Sequence, residues 1–451
     1  MDTDTICAIS TPIGTGGISI VRMSGSNALN IAFKIFSSPK VNIDNIKPRF
    51  FYLGTLSYSG GMDKCMMVYF KAPFSYTGED LVEFQCHGGV LVTQKVLESI
   101  IASGGRLAEG GEFTKRAFVN GKLSLDEAEG VIDVINAESD SELKAGSSLV
   151  KGNLHREVEK LQNVITDILS EINVTFDFPE NDDEETTSED VLDKLSNVHT
   201  TLLNIIATAG TGIKLKTGNK VVIVGKPNVG KSSIMNAMLG LDRAIVTSIQ
   251  GTTRDILEET YIYKGVRFIL TDTAGLHDST DVVESIGITK AKETLNNADV
   301  VLFILDGSQP LDDYDRDIIK LVCDKKILVV VNKNDIKQVL DDGKLPFDNI
   351  IKCSAVTKNN IETIKEKLYT MVIDEKVLSQ NIIITNVRHM QALSSANKII
   401  EDVLSDLQGH KDLELISLNL QSAWEMLGQI TGVTSNEEII SNIFSKFCVG
   451  K

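Results

Sequence analysis

The residues best placed to do chemistry lie between positions 221 and 355. Gly225-Lys-Pro-Asn228-Val229-Gly230-Lys231-Ser232 has the spacing G-x-x-x-x-G-K-[ST]. Such a loop turns backbone amides inward around phosphate oxygens. Lys231 supplies a point charge to the terminal phosphates, and Ser232 offers a hydroxyl to Mg²⁺. The helix that follows, from Ser233, aims its N-terminus at the same phosphates. Further along, Asp272-Thr273-Ala274-Gly275 provides a carboxylate to hold Mg²⁺ through water and a glycine amide for a γ-phosphate, so the segment after it should respond to the nucleotide. Between the two, Gly251-Thr252-Thr253-Arg254-Asp255 adds two threonines suited to Mg²⁺.

The base is read later in the chain. The Asp335 carboxylate of Asn332-Lys333-Asn-Asp335 can accept both N–H donors on the Watson–Crick edge of guanine. Adenine lacks that pair, and a carboxylate left unpaired is costly, so the site should select GTP. Cys353-Ser354-Ala355 fits a last loop whose backbone amide meets the guanine oxygen. Each string is short, but in this order, each after a strand, they specify a GTPase. Many GTPases place a glutamine after the Asp-x-x-Gly motif to orient the attacking water. Here that position is Leu276, and the polar candidates are His277, Asp278, Asp281 and Glu284. Arg254 is a candidate arginine finger, or else a structural ion-pair partner. A monovalent cation held by the Asn228 carboxamide could supply the missing positive charge.

The elements that position these groups follow from hydrophobic period. Val221–Val224 reads as a buried parallel strand, Arg267–Leu270 as a strand and Leu328–Val331 as a buried strand. Residues 1–119 mix strands (Ile18–Val21, Met66–Phe70) with glycine turns and predict an α+β domain. Ser124-Leu-Asp-Glu127 predicts a capping box, after which helical spacing runs to about 175. The acidic stretch 177–190 reads as a solvated loop. A helix is expected over about 188–210, then a basic linker over Lys214–Lys220, and further helices over His389–Asp406 and Ile416–Ile430. The expected domains are 1–119, a helical domain split into 120–215 and 379–451, and an inserted GTPase domain at 216–378.

Composition bounds the partners. The net charge is −17, yet residues 1–119 hold eleven basic and ten acidic side chains, so the excess of acid lies beyond them. A general polyanion binder would be basic, so nucleic-acid contact must be local or shared with a partner. Six scattered cysteines without C-x-x-C spacing fit reduced thiols and a cytoplasmic location. No apolar run approaches membrane-spanning length, so no membrane partner is expected.

Asn228, Gly251-Thr-Thr-Arg-Asp255, Asp272-Thr-Ala-Gly-Leu276 and the last tetrapeptide Cys448-Val-Gly-Lys451 together resemble the MnmE (TrmE) family of tRNA-modification GTPases. The front strings Gly16–Arg22, Tyr76–Asp80, His87-Gly-Gly89 and Gly111–Phe118 extend the resemblance over essentially the whole chain; the usual Ile of the tetrapeptide is Val449 here. The resemblance implies a multidomain α/β and α architecture: an N-terminal α+β domain that binds folate and dimerises, a discontinuous helical domain, and an inserted Ras-like P-loop GTPase domain. It implies a GTP site over Asn228–Ser233, Thr247-Ser248-Ile249-Gln250-Gly251-Thr252-Thr253, Asp272–Gly275, Asn332, Lys333, Asp335, Ser354 and Ala355. Mg²⁺ would sit on Ser232 and Thr253, K⁺ on Asn228 and on carbonyls of Thr247, Ile249 and Thr252, and Glu284 would help orient water. Arg22, Glu83, Lys122 and Lys451 would hold a tetrahydrofolate (5-formyl or 5,10-methylene form), with Cys448 either a reactive thiol beside it or a small buried residue. A homodimer would join an FAD-dependent partner of the MnmG (GidA) type in a heterotetramer and modify carbon 5 of the wobble uridine of tRNA. The flavin should belong to that partner, since this chain has no G-x-G-x-x-G fingerprint. Two rivals are weighed beside this reading: a ribosome-assembly GTPase, which lacks the expected RNA-binding appendage here, and a non-catalytic nucleotide switch.

Overall fold

The computed structural model describes residues 4–177, 184–240, 258–272, 293–409 and 412–451. The chain divides into two compact units, one of residues 1–132, 149–195 and 398–451, the other of 133–148 and 196–397.

The first unit begins with β1 (Ile6–Ile9), β2 (Ile18–Ser24), α1 (Ala28–Ile35), β3 (Phe36–Ser37), β4 (Phe51–Tyr58), β5 (Gly61–Phe70), β6 (Leu81–His87), α2 (Val90–Ala102), β7 (Arg106–Leu107) and α3 (Glu112–Val119). The strands form one sheet in the order β3-β4-β5-β6-β2-β1-β7, antiparallel except for the β1–β7 pair. Period-2 alternation gives this sheet one apolar face: Val21, Met23, Leu56, Met67, Val82 and Phe84 are fully buried and share a core with Ala28, Ile31, Val96 and Ile100 of α1 and α2. The other face carries two registered rows, Phe51–Val68–Glu83–Arg22 and Leu53–Met66–Gln85–Ile20.

Helical segments follow: α4 (Leu125–Asn136), α5 (Asp140–Val150), α6 (Asn153–Asp177), α7 (Glu184–Ile206) and α8 (Ala209–Thr217). The expected capping box forms only in part. The Ser124 amide donates to Glu127 at 2.9 Å, but the Ser124 hydroxyl turns to Asp126 at 2.7 Å. The stretch of helical spacing to about residue 175 is three helices, with Gly152 at φ 68° marking one break. The acidic stretch is helical again from Glu184, and the expected linker at Lys214 is the end of α8, where cations suit a helix C-terminus. Helical period does not reveal α8, because its nine residues are few and include glycines.

The second sheet is built from β8 (Asn219–Val224), α9 (Lys231–Leu239), β9 (Glu258–Tyr263), β10 (Val266–Asp272), β11 (Val300–Asp306), α10 (Asp313–Val322), β12 (Ile327–Asn332), β13 (Ile350–Lys352) and α11 (Ile361–Val372). Its order is β13-β12-β11-β8-β10-β9, parallel except for β9. Both faces are buried: Ile223, Leu302, Ile304 and Leu328 enter one core, and Val222, Val301, Phe303 and Val329 the other. A parallel doubly covered sheet sends the carboxyl ends of β8, β10, β11 and β12 to one edge, which is where such folds place ligands. After α12 (Glu375–Leu378) come α13 (Val387–Gln408), α14 (Leu413–Thr431) and α15 (Glu437–Phe444). Within the first unit α14 packs on α6, tied by the Gln162 amide donating to the Trp424 carbonyl at 2.9 Å.

Candidate functional site

The phosphate loop leaves β8 at Gly225, whose φ is 154°, and enters α9 at Gly230, whose φ is 98°. A Cβ on Gly225 would lie 2.4 Å from the Ile304 carbonyl oxygen, and one on Gly230 would lie 2.3 Å from Asn332 Nδ2. Both positions therefore require glycine for conformation and for space. Asn228 is exposed and holds a left-handed φ of 64°. Inside the loop, Lys231 Nζ donates to the carbonyls of Gly225 and Lys226 at 2.9 and 3.1 Å. Burial lowers the Lys231 pKa, an effect the nearby Asp272 carboxylate opposes. The Ser232 hydroxyl donates to Asp272 at 3.1 Å, so the hydroxyl of the phosphate loop and the acid ending β10 meet. Ser232 and Ser233 are exposed, while Val229 is buried.

The base-reading loops are fastened to the phosphate loop through Asn332. Its Nδ2 donates to the Val229 carbonyl at 2.8 Å, and its Oδ1 accepts from the Ala355 amide at 3.1 Å. Asn332 is buried, so its role is to clamp three loops rather than to touch the base. The Ser354 amide is engaged with the Asn359 carbonyl at 3.2 Å. Lys333, in a left-handed conformation at φ 66°, donates to Asp306 at 2.7 Å. Asp335 stands exposed three residues past the strand.

Two groups here escape sequence reasoning. Asp306 ends β11, and although burial opposes its ionisation, Lys333 and Ser308 hold its carboxyl below the usual range. Lys226 bonds Asp312 and Asp315 at 3.0 and 3.1 Å, where those acids form the capping box that opens α10. The signals for them in the sequence are an acid at a strand end and an Asp-Asp-x-Asp helix start, neither specific to nucleotides.

In the first unit, Arg22 and Glu83 are cross-strand partners on the face away from α1 and α2. The Arg22 guanidinium donates to Glu83 Oε1 from Nη2 and Nε at 2.7 and 3.1 Å, and lies over the Tyr76 and Phe113 rings at 5.8 and 5.6 Å. Lys122 is exposed, with its stem beside Gly78. The last tetrapeptide threads against the end of β1: the Ser10 hydroxyl donates to the Gly450 carbonyl at 3.2 Å, and Val449 bridges Gly110. Lys451 is thereby brought to the strand next to the one that carries Arg22. Cys448 is exposed, which removes the buried-residue alternative for it.

Comparison with known proteins decides the family. A family profile described as the MnmE helical domain matches residues 125–448, and one described as the N-terminus of GTP-binding protein TrmE matches 5–122. The tRNA modification GTPase MnmE of Clostridioides difficile is 40% identical over 99% of this chain and 99% of its own. That of Lacticaseibacillus paracasei is 39% identical over 99% and 98%. The chain belongs to the MnmE family. Among solved structures, the G domain of the T. maritima FeoB iron transporter is 24% identical, covers 34% of this chain and 99% of that one, and superposes with a TM-score of 0.26. The MnmE family strings of the front domain thus fall on β2, the β5–β6 loop, the β6–α2 turn and α3. Thr247–Thr253, Arg254, Thr273–Gly275, Leu276, His277, Asp278, Asp281 and Glu284 lie outside the described residues.

Proposed function

We propose that this chain is the GTP-hydrolysing half of a tRNA-modification enzyme. It works in the cytoplasm as a homodimer with an FAD-dependent MnmG-type partner in a heterotetramer. It adds a carboxymethylaminomethyl or aminomethyl group to carbon 5 of the wobble uridine, using a tetrahydrofolate one-carbon unit and a K⁺-dependent GTPase cycle. The observation that carries this reading is the presence, in one chain, of Lys231, Ser232, Asp272 and Asn332 at the carboxyl edge of the second sheet and of the Arg22–Glu83 pair on the open face of the first.

The chain is a GTP hydrolase. Lys231 holds its ammonium on two backbone carbonyls and can exchange them for the β- and γ-phosphate oxygens when GTP enters. Ser232 and Asp272 fit Mg²⁺, since two oxygens of the right chemistry already face each other. Held there, Mg²⁺ would supply positive charge against the charge that develops on the phosphates. Asn228 presents an exposed carboxamide in the phosphate loop, suited to K⁺, which would offer positive charge to the phosphates. Likeness to the MnmE family gives Glu284 the orientation of water, a task that Leu276 cannot perform.

Arg22 and Glu83 suit a pterin: the carboxylate accepts N–H bonds, and the guanidinium, with Lys122 and Lys451, pairs with carboxylates or a ring carbonyl. Tyr76 and Phe113 flank the pair with apolar surface. The same sheet face supports the dimer, since Leu53 is 66% exposed, Met62 71% and Ile18 60%, and among the described residues no helix of the first unit covers them.

Titration with 5-formyl-tetrahydrofolate by calorimetry tests the folate part. Saturable binding that weakens in both Arg22→Ala and a variant lacking Lys451 is expected. Absence of binding in a protein that still hydrolyses GTP would remove the folate chemistry and bring the ribosome-assembly alternative forward. Turnover should rise in K⁺ over Na⁺; equal rates in the two would remove the cation from the cycle.

A further inference from the structure

The loop between β5 and β6 does two things at once. Tyr76 turns inward beneath Arg22, at 5.8 Å. Phe74, two residues earlier, turns outward and is 68% exposed. The loop that holds it out is pinned: Asp80 accepts from the Ala72 amide at 2.9 Å and from the Tyr69 hydroxyl at 2.8 Å, and Ser75 donates to the Glu79 carbonyl at 2.5 Å. Phe74 does not stand alone. The Arg49 guanidinium lies 5.6 Å from its ring centre and donates to its carbonyl at 3.4 Å. Arg49 reaches it from a left-handed backbone at φ 64°, unusual for arginine, fixed by its amide donating to the Tyr69 carbonyl at 2.7 Å. Strain of this kind concentrates where a side chain must be presented in one direction.

The surroundings are cationic. Residues 38–50 and the loop 71–80 contain Lys40, Lys47, Arg49 and Lys71 against Asp44, Glu79 and Asp80, and of these acids Glu79 is engaged by Arg116 and Asp80 by Tyr69 and the Ala72 amide. Among the described residues, none of the four cations has an ion-pair partner. Phe50 adds a second exposed ring beside Arg49. In a chain of net charge −17, four cations against three acids, two of them already engaged, make a local departure in sign. Aromatic rings stacked with arginine and flanked by free cations are the recognition chemistry of unpaired nucleic-acid bases, which stack on the ring while their phosphates meet the cations.

We propose that the Arg49–Phe74 pair is a base-stacking platform for an unpaired RNA nucleotide, with Lys47 and Lys71 contacting the adjoining phosphates. This rests on the tRNA reading above and locates where this chain itself touches the RNA. The chain direction gives the platform its meaning. Phe74 and Tyr76 are two residues apart, at most about 7 Å along the backbone, so the loop that presents Phe74 also carries the ring under Arg22 of the Arg22–Glu83 pair. A nucleobase to be altered must leave its stack, and a platform beside the one-carbon donor is where it would be received.

The test uses the full chain and a fluorescein-labelled anticodon stem-loop RNA, followed by anisotropy at low salt. Phe74→Ala and Arg49→Gln should each weaken binding about tenfold, and Phe74→Trp should retain it. The Lys47→Ala/Lys71→Ala double variant should flatten the log-affinity against log-salt slope by roughly 0.7 for each phosphate that is no longer neutralised. GTP hydrolysis and 5-formyl-tetrahydrofolate binding should be unchanged in all of these, which shows that they fold. Wild-type RNA affinity in Phe74→Ala would overturn the proposal. So would an unchanged affinity accompanied by monomer elution, which would give the ring to a second copy instead. No RNA binding by the wild type would also overturn it. The tRNA reading itself stands or falls on the modification assay with the flavoprotein.

Discussion

At the scale of single residues, the nucleotide site depends on Asn332 more than on any side chain that would touch the base. Its two polar atoms join the phosphate loop to the last base-reading loop. Asn332→Ala leaves the Val229 carbonyl and the Ala355 amide without partners in a buried position. That should cost about 1–3 kcal/mol of stability and weaken GTP binding at least tenfold, as measured by denaturant unfolding and nucleotide titration. Asp306 gives a prediction in pH. Its carboxyl is held below the usual range, so its contribution is complete above about pH 4 and is lost as the pH falls through the folded value. Asp306→Asn should be less stable than wild type at pH 7, and its stability should fall less steeply on acidification below about pH 4. Parallel acid limbs for the two proteins would contradict the assignment.

At the scale of elements, β1 and the last tetrapeptide act as one piece. Gly450 has φ 96°, and a Cβ there would lie 2.2 Å from the Ile9 carbonyl oxygen. Gly450→Ala must therefore lift the tail from β1 and carry Lys451 away from the Arg22 strand. The expected result is a loss of 5-formyl-tetrahydrofolate affinity of about tenfold or more with GTP turnover unchanged, since the nucleotide edge lies on the other sheet. An unaltered folate affinity would show that Lys451 takes no part. The roots of β8 and β10 are similarly fastened: Arg267 pairs with Glu138 and with Glu142 and donates to the Lys216 carbonyl at 2.8 Å, which joins α4–α5 and α8 to the strands that carry Lys231 and Asp272.

At the scale of the whole molecule, the sheet of the first unit has helices on one face and registered, exposed apolar side chains on the other. Apolar rows of this kind are covered in stable assemblies. Leu53→Glu/Met66→Glu places two charges in the centre of that face, and desolvating them in an interface is expensive. The variant should elute as a monomer in size-exclusion chromatography with a folded circular-dichroism spectrum. A retained dimer would move the interface elsewhere on the chain.

The sequence by itself determined the nucleotide edge. Lys231, Ser232, Asp272 and Asp335 are residue types suited to a nucleotide at fixed spacing after apolar strands, so the local pattern contains both the residue types and their order. It also determined the fold classes, a mixed α+β front and an inserted α/β domain, because buried strand runs and helical spacing differ in hydrophobic period. Tertiary structure decided what depends on partners far along the chain. Arg22 meets Glu83 only through the β2–β6 register, Arg267 meets Glu138 only through folding, and Asn332 reveals its clamp only once the loops around Val229 and Ala355 converge. The break near Gly152 and the short α8 escape periodicity because a few residues set by a left-handed turn carry little periodic signal. The cause is the same in each case: local propensity and period are encoded within a few turns of chain, whereas pairing between distant charges is set by which surfaces the packed core brings together.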